Sequence, residues 1–250
     1  MTACTLTQKP AQRRPRRAHR GSVPIVPPYL DPLEQFVSPE RVARIDHVLA
    51  HRLASLTVVC EDVFDPHNVA ACARTCEALG LQDLHWVLNK NALRLSSTVA
   101  KAADQWLTFH HHDSTEAGVA ALKAQGYELW VSDLQADCAL ADLPLGPKVA
   151  VVIGNAKFGI SERMRQLADR RYIVPMHGMV QSFNLSVALA LTLADLVPRR
   201  RRELAMLGQT GDLPTAALAE LRAKWLEFGV DRADIVRRAL AAEATRDGTP

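Results

Sequence analysis

Residues 56–80 read LTVVCEDVFDPHNVAACARTCEALG, and this stretch decides the fold. Leu56 to Cys60 is an apolar, β-branched run bounded by charge, the pattern of a buried strand. Asp65-Pro66-His67-Asn68 breaks that run, and Ala70 to Leu79 then forms a helix of small residues closed by Gly80. A second strand follows at Leu84–Leu88. Upstream, Ser38-Pro39-Glu40 supplies a capping residue, a first-turn proline and a carboxylate at the positive helix end, which starts a helix over 39–53. Downstream the alternation continues. A helix over 114–125 ends at Gly126, strands fall at 128–133 and 148–153, a helix follows Ser161, a strand covers 171–175, and a long apolar helix runs from Asn184 to Leu196. Strands alternating with helices give an α/β fold, a mostly parallel sheet covered on both faces. Pro198 followed by Arg199–Arg202 marks a boundary, beyond which 214–227 and 231–244 are two amphipathic helices joined at Gly229.

The chain has 250 residues and a net charge of +3 that hides an uneven distribution. Residues 1–28 carry six basic side chains, no acidic one and five prolines, and residues 29–194 hold 14 basic against 18 acidic. An arm so rich in arginine and proline buries too little surface to offset its ordering entropy, and reads as disordered when free. It either tracks phosphates or serves as a solubilising tail. Five cysteines in a chain of this length, without an apolar leader, point to a reducing cytoplasm rather than a disulfide-stapled secreted protein. No stretch approaches the roughly 20 consecutive apolar residues of a membrane span, which excludes an integral helical membrane protein. Neither end has the pattern of a DNA-reading helix-turn-helix.

The turn after the first strand, Val63 to Asn68, contains no glycine, so neither a dinucleotide fold nor a phosphate loop is supported. The unusual loops come later, at Ile153–Ser161 and Pro175–Asn184, each between a strand and a helix, where open parallel sheets place ligands. Three segments form a constellation: Asn68-Val69-Ala70-Ala71-Cys72-Ala73-Arg74-Thr75, the Gly154–Ser161 loop, and Ser182-Phe183-Asn184-Leu185-Ser186-Val187-Ala188. In order and spacing they resemble the three motifs of the SpoU family of RNA 2′-O-ribose methyltransferases, over residues 40 to 200. Asp65-Pro66-His67-Asn68 and Gly178-Met179-Val180-Gln181-Ser182 are similar to its TrmH branch, which methylates the ribose of guanosine-18 in the tRNA D-loop.

The resemblance implies a trefoil-knotted homodimer that binds S-adenosylmethionine and acts on tRNA. It makes Asn68, Arg74, Ser182 and Asn184 the catalytic set, and Ser132, Gly154, Val174 and Phe183 the cofactor contacts, largely through the main chain. Residues 29–197 become the methyltransferase domain. The arm (Arg13, Arg14, Arg16, Arg17), the cluster Arg199, Arg200, Arg201, Arg202 and the helical extension 198–250 become the RNA-binding parts. Ribose methylation requires a poor nucleophile to lose its proton as it attacks in line, so the site must orient the oxygen and stabilise its charge. Arg74 is the evident cation. A guanidinium with a pKa above about 12 is a poor base, so Arg74 is expected to grip the adjacent phosphate and polarise the hydroxyl while the proton leaves through phosphate or water.

Two departures from the family pattern stand out: Ala156 occupies a position where the family carries a glutamate, and Phe183 one where leucine is usual. The loss of the carboxylate leaves a weakened enzyme or a non-catalytic RNA-binding protein as alternatives, beside the ribosomal-RNA branch. Ser182 and Asn184 are also helix-capping residues by position. Cys72 and Cys76 read as core, with no second pair to complete a metal site, and His110-His111-His112 as an exposed loop. His67 either touches RNA or closes a turn. Trp225 is a stacking candidate by chemistry and a core residue by spacing.

Overall fold

The computed structural model describes residues 31–89, 104–136 and 138–246. The basic arm, with Arg13, Arg14, Arg16 and Arg17, lies outside the described residues. Six strands form one parallel sheet: β1 (Leu56–Glu61), β2 (Asp83–Val87), β3 (Thr108–His112), β4 (Glu128–Ser132), β5 (Val149–Ile153) and β6 (Arg170–Tyr172), in the order β3-β2-β1-β5-β4-β6. The chain runs outward from β1 through β2 to β3 and then crosses back to the other half of the sheet. The carboxyl ends of β1 and β5 therefore flank a topological switch point, where such sheets bind ligands.

Each face of the sheet has its own core. Val58, Cys60, Trp130 and Val151 pack against α2 (Pro66–Leu79) and α5 (Leu185–Met206), through Cys72, Cys76, Leu189 and Leu193. Val59, Val131 and Val152 point the other way, onto α3 (Thr115–Ala124) and α4 (Glu162–Leu167), through Val119, Leu122 and Met164. The alternation of neighbours along one strand is the pleat, and burial on both sides explains the continuous apolar runs. Cys72 and Cys76 are thus core residues, and burial raises the Cys76 thiol pKa well above its ordinary value. A third cluster joins α1 (Pro39–Leu49), α6 (Thr215–Glu227) and α7 (Ala233–Arg246) around Trp225, which is 2% exposed, so its stacking role is withdrawn. Arg222 bonds Asp46 at 2.7 Å and Arg237 bonds Asp31 at 3.0 Å, tying the C-terminal helices to the start of the described chain.

Two expectations need correction. Pro198 and the arginines after it mark no boundary, because α5 continues through them to Met206. Proline removes one helical donor, and the loss is bridged by side chains that clamp the helix to the rest of the fold. Arg199 bonds Asp195 and the Leu143 carbonyl, Arg200 bonds Glu203 and the Gly146 carbonyl, and Arg201 reaches the carbonyls of His51, Leu79 and Thr210. Gly80, at φ +86°, leaves room for this contact: a Cβ there would sit 2.7 Å from Arg201 Nη2. Arg199, Arg200 and Arg201 are therefore structural, and of the four only Arg202 is exposed. The second correction concerns His110–His112, which form edge strand β3 instead of a loop. His110 bonds Asp83 at 2.8 Å and stacks on His85 at 4.5 Å, while His85 Nδ1 meets His112 Nε2 at 3.0 Å. Among the described residues no cluster could hold a metal, and no helix is long and apolar enough to cross a membrane.

Candidate active site

The loops after β4, β5 and β6 converge on a cavity of about 570 Å³ at the carboxyl edge of the sheet. Ser132, Gly154, Val174 and Phe183, which four separate stretches of sequence supply, all line it, as do Ser182 and Asn184. Tyr172, the strand partner of Ser132, is fully buried and bonded to Thr192 at 3.0 Å; burial holds its phenol pKa well above the ordinary value, so it stays neutral. The segment after β4 pairs in parallel with the chain leaving β6: Ile173 N–H donates to Cys138 O at 2.9 Å and Leu140 N–H donates to Ile173 O at 3.1 Å.

The loop between β5 and α4 is folded back on itself. Asn155 and Gly159 exchange two backbone hydrogen bonds, of 3.0 and 2.8 Å. A Cβ on Gly154 would lie 2.3 Å from the Gly159 carbonyl, so only glycine fits there. Asn155 completes the turn. Its Oδ1 accepts from the N–H groups of Lys157 and Phe158, and its Nδ2 donates to Asp62 O at 2.8 Å. Asp62 occupies the left-handed region at φ +50°, held there because Asn89 donates to both oxygens of its carboxylate. Glu61 ties the far end of the loop: 1% exposed, it accepts from Ser161 Oγ at 2.7 Å, Ser161 N at 2.9 Å and Thr115 Oγ1 at 2.8 Å. A buried carboxylate is tolerable only when so satisfied. Ala156 is exposed and lines the cavity.

The loop after β1 meets the start of α5. Asp65 caps α2 by accepting from His67 N–H at 2.9 Å, and its other oxygen takes Asn68 Nδ2 at 3.1 Å. Asn184 caps α5 by accepting from Ser186 N–H at 2.9 Å, and donates to Asn68 Oδ1 at 3.3 Å. Both asparagines are thereby held by hydrogen bonds, Asn184 in the cavity lining and Asn68 beside it. Arg74 is exposed and makes no hydrogen bond or ion pair among the described residues. Six residues separate it from Asn68 on α2, so it projects about 120° away around the helix axis and roughly 9 Å along it. The structure thus joins Asn68 to Asn184, places Ser182 and Asn184 on the cavity, and leaves Arg74 free at one side. Glu61, Asp62 and Asn155 escaped the reading of the sequence, although a carboxylate ending a six-residue apolar strand was a signal for the first.

Residues 55–194 match the SpoU rRNA Methylase family. A tRNA (guanosine(18)-2′-O)-methyltransferase of Borreliella burgdorferi is 34% identical over 171 residues, covering 68% of this chain and 78% of that protein. The crystal structure of an Aquifex aeolicus TrmH/SpoU tRNA modifying enzyme superposes with a TM-score of 0.67 at 24% identity, covering 81% of this chain and all of that one. The SpoU methyltransferase AviRb of Streptomyces viridochromogenes, solved in complex with the cofactor AdoMet, shares the fold with a TM-score of 0.54 at 23% identity, over 60% of this chain and 59% of its own.

Proposed function

The chain belongs to the SpoU family of RNA methyltransferases, and from that premise we propose that it is an S-adenosylmethionine-dependent tRNA (guanosine-18-2′-O)-methyltransferase. The observation that carries the reading is that the second and third motif segments line one cavity, while the first is tied to its rim where Asn184 of the third donates to Asn68. The cavity fits the cofactor. Its volume lies in the range of small-molecule sites, roughly 300 to 1,000 Å³. Its walls pair an apolar slot, Ile153, Val174 and Phe183, with a polar rim.

When bound, the cofactor supplies an electrophilic methyl group on a sulfonium. Arg74, unpaired and exposed, grips the phosphate beside the target nucleotide and polarises the 2′-hydroxyl. Asn68 and Asn184, each held by its own helix cap, orient the ribose, and Ser182 assists from the same rim. The hydroxyl proton would leave to that phosphate or to water, and these side chains would hold the ribose oxygen in line and balance its developing charge. Ala156 does not open the site, because Asn155 and Glu61 hold its loop from both ends.

The trefoil knot belongs to this proposal: the segment at 138–146 runs parallel beside the chain that leaves β6, bonded to it at Ile173, and accepts from Arg199 and Arg200 of α5. So does a homodimer, supported by exposed Met179, Val180, Val187 and Leu191 beside the site. A cytoplasmic setting suits four described cysteines that are all free thiols. RNA binding is assigned to the basic arm, Arg202 and the surface of the α1, α6 and α7 layer. The test is methyl transfer by three proteins, natural, Arg74→Ala and Ala156→Glu. Loss of at least about 100-fold in Arg74→Ala, with an active natural chain, is expected. Activity only in Ala156→Glu would identify the chain as a silent RNA-binding relative.

A further inference from the structure

One charged pair in the cavity wall has no part in the chemistry above. Asp133 follows β4, and its side chain is only 2% exposed. Its Oδ1 accepts from Gln135 N–H at 3.1 Å, and its Oδ2 lies 3.2 Å from Arg165 Nε and 3.8 Å from Arg171 Nη1. Arg165 rises from α4 into the cavity lining and is 28% exposed, with Nη1 3.5 Å from the exposed Glu162. The charged side chains among the described lining residues are Asp133, Lys157 and Arg165. Lys157 stands at the exposed loop tip over the Phe158 ring, 5.3 Å from its centroid. Arg165 is therefore the cation planted in the wall.

A buried carboxylate needs a partner, and here the partner is a guanidinium pinned through Nε. That contact fixes the plane of the fork and, with Nη1 facing the exposed Glu162, leaves Nη2 to donate to a further carboxylate oxygen. The proposed cofactor carries one anion, the α-carboxylate of its amino-acid end. Entering a cavity walled by Ile153, Val174 and Phe183, that carboxylate loses water that an unpaired site would not replace. Phosphates of an RNA chain run over exposed surface instead, where Arg74 stands.

We propose that Arg165 binds the α-carboxylate of the cofactor, with Asp133 as the positioning residue that fixes the guanidinium. This inference rests on the cavity being the cofactor site. The test compares equilibrium binding of S-adenosylhomocysteine and 5′-methylthioadenosine, which keeps the adenosine and the thioether but lacks the amino-acid end, to the full chain. Arg165→Ala is expected to weaken S-adenosylhomocysteine at least about tenfold while 5′-methylthioadenosine stays within about twofold; Arg165→Lys recovers part of the loss. Asp133→Asn should follow the same pattern more weakly. Equal weakening of both ligands, weakening of neither, or an effect confined to tRNA binding would overturn the assignment. If the natural chain bound neither ligand, the cofactor site itself would be wrong and this inference would fall with it; if it bound both and Arg165→Ala did not tell them apart, only this inference would fall.

Discussion

Replacing Gly154 with alanine tests whether the β5–α4 turn shapes the cavity. The new Cβ would lie 2.3 Å from both the carbonyl carbon and the oxygen of Gly159 and 2.5 Å from Ile160 N, all main-chain atoms, whereas ordinary contact begins at 3.4 Å. Gly159 must therefore retreat by about 1 Å, a distance no rotamer change can absorb. The retreat breaks the paired Asn155 and Gly159 hydrogen bonds, worth about 1 kcal/mol each. Overpacking adds roughly 1 to 3 kcal/mol. A loss of about 3 to 5 kcal/mol in a chain of this size lowers Tm by roughly 6 to 20 °C, or, if only the turn opens, leaves Tm alone and displaces the cavity wall. In both cases methyl transfer should fall by about 100-fold, the usual consequence of misplacing reacting groups by 1 Å. Calorimetry and single-turnover methylation of Gly154→Ala measure this, with Gly178→Ala, where a Cβ meets nothing within 4 Å, as the control for stability. An alanine variant with natural Tm, cofactor affinity and rate would refute the reasoning.

Three further outcomes are expected. Arg200→Ala, removing a side chain 9% exposed with two anchors, should cost about 2 to 3 kcal/mol without a selective effect on tRNA affinity, while exposed Arg202→Ala leaves the melting curve in place. Urea titrations of both variants decide it, and a natural midpoint for Arg200→Ala would restore that residue to the RNA surface. Burial, then His110 and His112, push the His85 pKa down to about 4 from 6.5, against the pull of Asp83. Between those values the unfolded chain binds the extra proton, so stability is full above pH 6.5 and falls by up to about 3 kcal/mol as pH drops towards 4; His85→Gln should flatten that slope in urea titrations. Asn184→Ala removes both the α5 cap and the link to Asn68, and should cost about 1 kcal/mol of stability but far more in rate. Equal proportional losses in the two would make Asn184 a cap alone.

The alternating strands and helices were legible because each strand here is buried on both faces and so reads as a continuous apolar run, as Leu56–Cys60 and Val149–Ile153 do. β3 was not, because its histidines satisfy one another and Asp83 on the sheet surface, an arrangement that no periodicity announces. Pro198 and four arginines read as a boundary because local propensity forbids a helix there; the carbonyls of Leu143, Gly146, His51, Leu79 and Thr210, remote in sequence or past the helix end, overrule it. Of the site, the cavity residues and the pairing partners Asn68 and Asn184 followed from motif order. The supports did not. Glu61, Asp62 and Asn155 act through contacts across nearly 100 residues of chain, and a spacing pattern carries no trace of partners so distant.

The most direct measurement is transfer of labelled methyl from S-adenosylmethionine to unmodified tRNA by the natural chain, followed by mapping of the modified nucleotide. One methyl group on the ribose of guanosine-18, absent from tRNA carrying 2′-deoxyguanosine at that position, is the predicted result. Methyl on a base, on another nucleotide, or no transfer to a tRNA that the protein binds would contradict the account.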